Sequence, residues 1–240
     1  MGRWIWLWAA FAAGPAGAGS FTPPAGCDGF LTVQALGCKL SNFYRCGADA
    51  PGDQWRVDFG VMGAYFISRT DHEAQWVESV DLSPPRRQSL APDPADPASF
   101  SELLASGMDT FSFGLVRDDG TASLVDGFDR LAGQTRVIDG VPLQMTEFAF
   151  SETDADTGAL LHRARGREYV HSEWRLFFAG PSEWDVGEGF QPIDHSPVEF
   201  VFPGEPGFFA TEPKYGCGMM MSQAPARIIP ARAMSADPKE

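Results

Sequence analysis

Alternation with a period of two recurs along this chain and restricts it to pleated sheet. Trp55, Val57 and Phe59 are interleaved with Arg56 and Asp58, and Phe111, Phe113 and Leu115 with Thr110, Ser112 and Gly114. Phe148 and Phe150 stand against Glu147 and Ala149, and Val198, Phe200 and Phe202 against Glu199 and Val201. Successive strand residues point to opposite faces, so each segment presents one apolar face. Asp119-Gly120, Asp139-Gly140 and Asp156-Thr157-Gly158 fall between such runs, and Asp and Gly tolerate the positive φ of a tight hairpin. The pattern predicts a mainly β chain: a single curved antiparallel sheet (meander, half-barrel or barrel-like) with one main covering helix.

That helix is expected between Asp96 and Gly107, with Asp96 as N-cap, Pro97 at the first helical position and Gly107 as terminator. Phe100, Leu103 and Leu104 share one of its faces, which suits packing on a sheet. The prolines between Ser83 and Ala95 predict a loop leading into it. Residues 1–19 read as a signal peptide, with Arg3 as the positive start, an apolar run from Ile5 to Ala13 and small residues at Ala16-Gly17-Ala18. Gly14 and Pro15 interrupt that run, and it is shorter than the roughly 20 residues a bilayer span needs. A single β-rich domain over 20–221 and a disordered tail over 222–240 complete the expected organisation, with the mature chain in the periplasm.

The chain has 18 Lys+Arg and 32 Asp+Glu; removing Arg3 with the leader leaves 17 − 32 = −15. A body this acidic repels nucleic acid and anionic lipid surfaces, so a nucleic-acid partner is not expected. Cysteines 27, 38, 46 and 217 form an even set, which an oxidising compartment turns into disulfides. Three pairings are possible. The short separation favours Cys38 with Cys46 across a hairpin, leaving Cys27 with Cys217 to tie the start of the domain to its end. No C-x-x-C pair occurs, so neither a metal nor a cofactor is expected.

The four histidines, 72, 162, 171 and 195, show none of the spacings that put two ligands on one metal. Asp71-His72-Glu73 and Asp194-His195 read as polar turns, and His171 shares a face with Glu173 if 167–178 is one strand. There is no G-x-S-x-G elbow, P-loop or dinucleotide fingerprint, and Asp58-Phe59-Gly60 lacks every other kinase signature. Met219 to Met221 beside Cys217 are consecutive and cannot all face one ion. For an enzyme, the acid/base candidates are Glu78, Glu147 and His171, brought from separate strands. Trp55, Trp76, Trp174 and Trp184 add bulky rings that either fill a core or line an apolar cavity. Trp55, Trp76, Phe113 and Phe148 are the ligand-binding candidates.

Gly26-Cys27, Gly37-Cys38, Gly52-Asp53-Gln54-Trp55, Ile67-Ser68-Arg69, Gln75-Trp76-Val77-Glu78-Ser79, Gly166-Arg167-Glu168-Tyr169-Val170 and Pro203-Gly204-Glu205-Pro206-Gly207-Phe208 resemble an uncharacterised family of exported alphaproteobacterial proteins. The resemblance covers most of the mature chain and implies no activity and no functional residues. More distantly, a leader, a long meander and a sparse helical cover are similar to the periplasmic lipoprotein-carrier half-barrels. The expected function is a non-enzymatic binding or carrier module for an apolar or amphipathic, lipid-like ligand at the cell envelope. Its rivals are a hydrolase-like enzyme and a structural envelope protein acting through a protein partner.

Overall fold

The computed structural model describes residues 19–220. The expected leader, apart from Gly19, the expected tail and Met221 lie outside the described residues. Twelve strands follow one another: β1 (Cys27–Ala35), β2 (Lys39–Cys46), β3 (Gln54–Gly60), β4 (Gly63–Thr70), β5 (Trp76–Leu82) and β6 (Pro85–Leu90) before the helix α1 (Phe100–Ser106); then β7 (Met108–Arg117), β8 (Ala122–Ile138), β9 (Val141–Asp154), β10 (Leu160–His171), β11 (Leu176–Asp185) and β12 (Gln191–Asp194). A last strand, β13 (Pro197–Val201), and a single helical turn, α2 (Cys217–Met220), end the described chain. Every strand pairs antiparallel with its predecessor except β13, which returns to the free edge of β1.

That return forces curvature. Laid flat, thirteen strands would separate β12 from β13 by about 58 Å at the usual interstrand spacing. Only His195 and Ser196 connect them, and so short a link spans about 10 Å at most. The sheet therefore curls until its two edges meet, without a hydrogen-bonded seam between them. Leu36 N donates to Ser196 O (3.0 Å), extending the β1–β13 ladder into the link itself. Rings from both ends pack together there, Phe43 on Phe178 at 6.0 Å and Phe178 on Phe200 at 5.3 Å. Leu31, Val33, Val141, Leu143, Tyr169 and Leu176 complete this core.

The other face of β1 and β2 is buried as well. Leu40 and Tyr44 pack with Val57, Phe59 and the terminal residues Phe21, Phe208, Phe209 and Ala210. Between these apolar contacts run Thr32, Gln34 and Asn42, each fully buried. They are satisfied by the returning chain: Asn42 Nδ2 donates to Ala210 O (2.8 Å), Phe209 N to Thr32 Oγ1 (2.8 Å) and Lys214 N to Gln34 Oε1 (2.9 Å). Gly29 leaves the room for this strap, since a Cβ there would lie 2.3 Å from the Phe209 ring.

Three expectations are corrected. The disulfides are Cys27–Cys46 and Cys38–Cys217, not Cys38–Cys46 and Cys27–Cys217. Residues 39–46 form one extended strand, so Cys38 and Cys46 stand about 25 Å apart at its two ends, beyond any disulfide. Cys27 lies directly opposite Cys46 in the β1–β2 register. The helix begins at Phe100, with Ser99 as N-cap accepting from Glu102 N and Gly107 as left-handed C-cap. Asp96 instead bridges to Ser112 on β7, which holds Pro97 outside the helix. Within the predicted loop over 83–95, Ser83-Pro84 turns the chain and Pro85–Leu90 becomes β6, a strand with short pairing to β7 that tolerates proline at its first position. Among the described residues, no helix is long and apolar enough to cross a membrane.

The chain-entropy model weights the two bridges differently. The Cys38–Cys217 bond closes a separation of 179 residues and Cys27–Cys46 one of 19, so replacing the first pair by serine costs about 5 kcal/mol and the second about 3 kcal/mol. Denaturant midpoints of the two double variants measure this. Equal losses, or a Cys27–Cys217 peptide in a non-reducing digest, would contradict the pairing described.

Candidate functional site

The strands β7–β11 turn one continuous row of side chains inward. Cross-strand register aligns Phe111, Gly127, Phe150, Ala164 and Trp184 in one line and Phe113, Val125, Glu152 and His162 in the next. Gly127 is bare for a reason: a Cβ would stand 2.7 Å from the Phe111 ring and 2.6 Å from Ala149 O. Phe111 therefore lies over the glycine backbone, and Phe113, Phe148 and Phe150 close the floor beside it. Trp76, at the start of β5, meets Phe113 and Phe150 edge-on at 5.5 and 5.6 Å. Trp184 also meets Phe150 edge-on at 5.6 Å and lies nearly parallel to His162 at 5.7 Å. Trp76 is 36 % exposed and Trp184 39 %, while Phe113 beneath them is 2 % exposed. Two indoles thus open to water over a buried phenylalanine floor.

Glu152 anchors the polar side of this mouth. It is 2 % exposed, and its Oε1 accepts from Arg117 Nη2 and from Ser123 Oγ, both at 2.6 Å. His162 Nε2 approaches Oε2 at 3.4 Å. Burial holds the His162 imidazole below its ordinary pKa, against the pull of Glu152. Serine, histidine and carboxylate are all present, but their order is wrong for nucleophilic catalysis. The Ser123 proton goes to the carboxylate, so no base is placed to activate the hydroxyl. The arrangement orients groups; it does not generate a nucleophile.

Of the four sequence-predicted ligand contacts, Trp76, Phe113 and Phe148 meet around Phe150, the last stacked on it at 6.2 Å. Trp55 lies elsewhere, stacked on Tyr44 at 6.0 Å with its Nε1 donating to Asp49 (2.7 Å). The acid/base candidates are each engaged separately. Glu78 is held by Arg69 at 2.9 Å and by Arg87, and Glu147 by Arg130 at 2.5 Å. His171 stacks on Trp174 at 3.7 Å and accepts from its backbone N. Residues 167–178 are not one strand: β10 ends at His171 and β11 starts at Leu176, so His171 and Glu173 share no strand face. Asp71-His72-Glu73 does form a turn, with Asp71 Oδ1 accepting from Glu73 N (2.8 Å) and Gln75 N (3.0 Å). Glu152 and His162 are the contributors that residue-by-residue motif search misses, and Trp184, one of the four bulky indoles read from the sequence, joins the mouth although it is not among the four ligand-binding candidates. The period-two run Phe148, Phe150, Glu152 already carried Glu152 in phase with the rings.

Space elsewhere is of a different kind. Under α1, Phe100 and Leu103 are fully buried, and Phe100 meets Phe177 edge-on at 5.3 Å, so the covering helix is packed down. The enclosed space beside Lys39, Arg56, Phe178 and His195 is about 30 Å³, room for a water molecule or two. A wide depression of about 840 Å³ runs over the opposite face of β8–β12, along Phe128, Ala149, Arg165, Glu183 and Pro192. It is shallow, and two of its charges are paired, Arg165 with Glu183 and Glu147 with Arg130. Among the described residues, no three His, Cys, Asp or Glu side chains gather as a metal site requires.

Comparison with known protein families, with curated proteins and with solved structures gives no match. The site therefore rests on its own geometry. Truncating Glu152 to alanine strands Arg117 and Ser123 without their shared acceptor and costs about 3–5 kcal/mol, whereas Glu152→Gln, which keeps an acceptor oxygen, costs less. Urea unfolding separates the two; an alanine variant as stable as the parent would show that the hub holds nothing.

Proposed function

We propose that this chain is an exported binding module that takes the apolar part of an amphipathic ligand on Trp76, Phe150 and Trp184. The ligand's polar end points toward Arg117 and His162. The observation that carries this reading is the convergence of two half-exposed indoles, from β5 and β11, on one buried phenyl ring. Surface indoles gain by being covered at about 25 cal/mol per Å², and rings drawn from strands more than a hundred residues apart converge over a common floor. Export is supported by the two disulfides, the apolar leader with its small-residue end and the acidic balance, which together suit a periplasmic location. The ligand lies on the mouth of the curled sheet, because the interior is filled.

Native mass spectrometry of protein taken from the periplasm, followed by organic extraction, reads out any co-purifying amphiphile. Tryptophan emission titrated with dodecanoate and with dodecyl maltoside then tests the mouth directly. Trp76→Ala and Trp184→Ala each weaken the preferred probe about tenfold, roughly 1.4 kcal/mol. A parent protein whose emission ignores both probes, or variants that bind as the parent does, would end this proposal.

A further inference from the structure

The rings at the mouth lack a covering that the chain gives its rings elsewhere. Among the described residues, Arg45 lies over Phe30, Arg56 over Phe66, Arg69 over Trp55, Arg175 over Phe100, and both Arg163 and Arg165 over Phe190, each guanidinium between 4.0 and 5.6 Å from the ring centre. Trp76 and Trp184, the exposed indoles, have no guanidinium over them. Neighbouring arginines are committed to carboxylates: Arg117 to Glu152 at 2.6 Å, Arg163 to Asp185 at 2.8 Å, and Arg87 to Glu78, two residues beyond Trp76. The uncovered rings stand square to one another. The planes of Trp76 and Trp184 meet that of Phe150 at 90° and 82°, and His162, within 17° of Trp184, meets Phe150 at 90°. An aromatic ring is negative over its face, and indole holds a cation best. Two indoles set against one phenyl ring bring that density to one place at the edge of the solvent.

The electrostatic setting admits a cation. Arg117 and Glu152 cancel each other at the polar side of the mouth, and the chain as a whole, with 32 Asp+Glu against 18 Lys+Arg, draws cations toward it at long range. Hydrogen bonding selects the kind of cation. A primary ammonium keeps three N–H donors that need acceptors once it leaves water. Here Glu152 Oε1 is already shared by Arg117 and Ser123, and Oε2 faces His162. A quaternary ammonium has no donor to satisfy and spreads its charge over methyl groups, which suit a phenylalanine floor. We propose that Trp76, Phe150 and Trp184 form an aromatic cage for a trimethylammonium group, with the rest of the ligand directed toward Arg117 and His162. The cage rests on the mouth being the binding site, and it names the chemistry that the mouth takes.

Tryptophan emission of the unmutated protein, titrated with choline and with 3,3-dimethylbutan-1-ol, its neutral counterpart of the same shape, isolates the contribution of the charge. Choline binds about tenfold more tightly than the alcohol, and about tenfold more tightly than ethanolamine, a primary ammonium. Trp76→Leu and Trp184→Leu, which keep an apolar side chain without a π face, each lower choline affinity about tenfold and leave that for the alcohol within about threefold. Co-sedimentation with phosphatidylcholine vesicles, against phosphatidylethanolamine vesicles as reference, separates a lipid headgroup from a free solute as the source of the cation. Preference for free choline or for phosphatidylcholine supports the cage. Equal affinity for choline and the alcohol, with neither vesicle preferred, would overturn it, and a response to dodecyl maltoside would then leave the apolar mouth standing. Silence toward every probe would remove cage and mouth together.

Discussion

The two-residue connection between β12 and β13 is the constraint on which the structure turns. It makes the first and last elements of a long meander neighbours, so one sheet supplies both walls of its own core. No second layer is required. Without a hydrogen-bonded seam, the junction depends on side chains, chiefly Phe43, Phe178 and Phe200. The exposed backbone of β13 is answered by a side chain too: Asp139, at the tip of the β8–β9 hairpin, accepts from Phe200 N (2.8 Å). Its positive φ of 48° and that of Gly140, 79°, belong to the tight turn that brings this carboxylate into place.

The meander is legible in the sequence because period-two alternation and Asp-Gly turns are local signals, and the segments at Trp55, Phe111, Phe148 and Phe200 all lie on strands. Cysteine pairing is not, because it depends on which residues face each other across a hairpin. Cys38 sits in the turn of the β1–β2 hairpin and Cys27 and Cys46 at its open end. The helix start shows the same limit. Asp96 is a sound N-cap by composition, yet tertiary pairing with Ser112 takes it and passes the role to Ser99. For the aromatic mouth, three of the four candidate rings are found by size and alternation, and Trp184 is noted by size alone, while its place beside Phe150 and that of His162 beside Glu152 come only through register. Convergence of strands 5, 7, 9, 10 and 11 is a property of the curl, which no local pattern encodes.

The interior divides into dry and ionic zones along the same strands. Phe111, Phe113 and Phe150 pack in one apolar cluster, whereas two residues away along β7 and β8 the in-phase positions become Asp109 and Asp129. Aliphatic residues at those positions would pack as well or better, since buried charge seldom adds net stability. Asp58 is gripped by Lys39, Arg56 and Ser41. Its surroundings hold its carboxyl low despite burial, through Arg56 first and Lys39 next. Glu168, lacking a direct partner, moves the other way. The contrast between the two carboxyls comes first from the cations beside Asp58.

The late return of β13 bears on how the molecule is made. Residues 197–201 complete the ladder begun by residues 32–35, so the partner of β1 emerges only after nearly all of the remaining strands. Until then a hydrophobic strand presents an open row of amides and carbonyls, the kind of edge on which chains join one another. Such distant pairing slows assembly. A nascent chain of this design is safest kept extended or chaperoned until its last strand is available, and a truncation just short of residue 197 would yield a sticky, self-associating product instead of a smaller version of the same body.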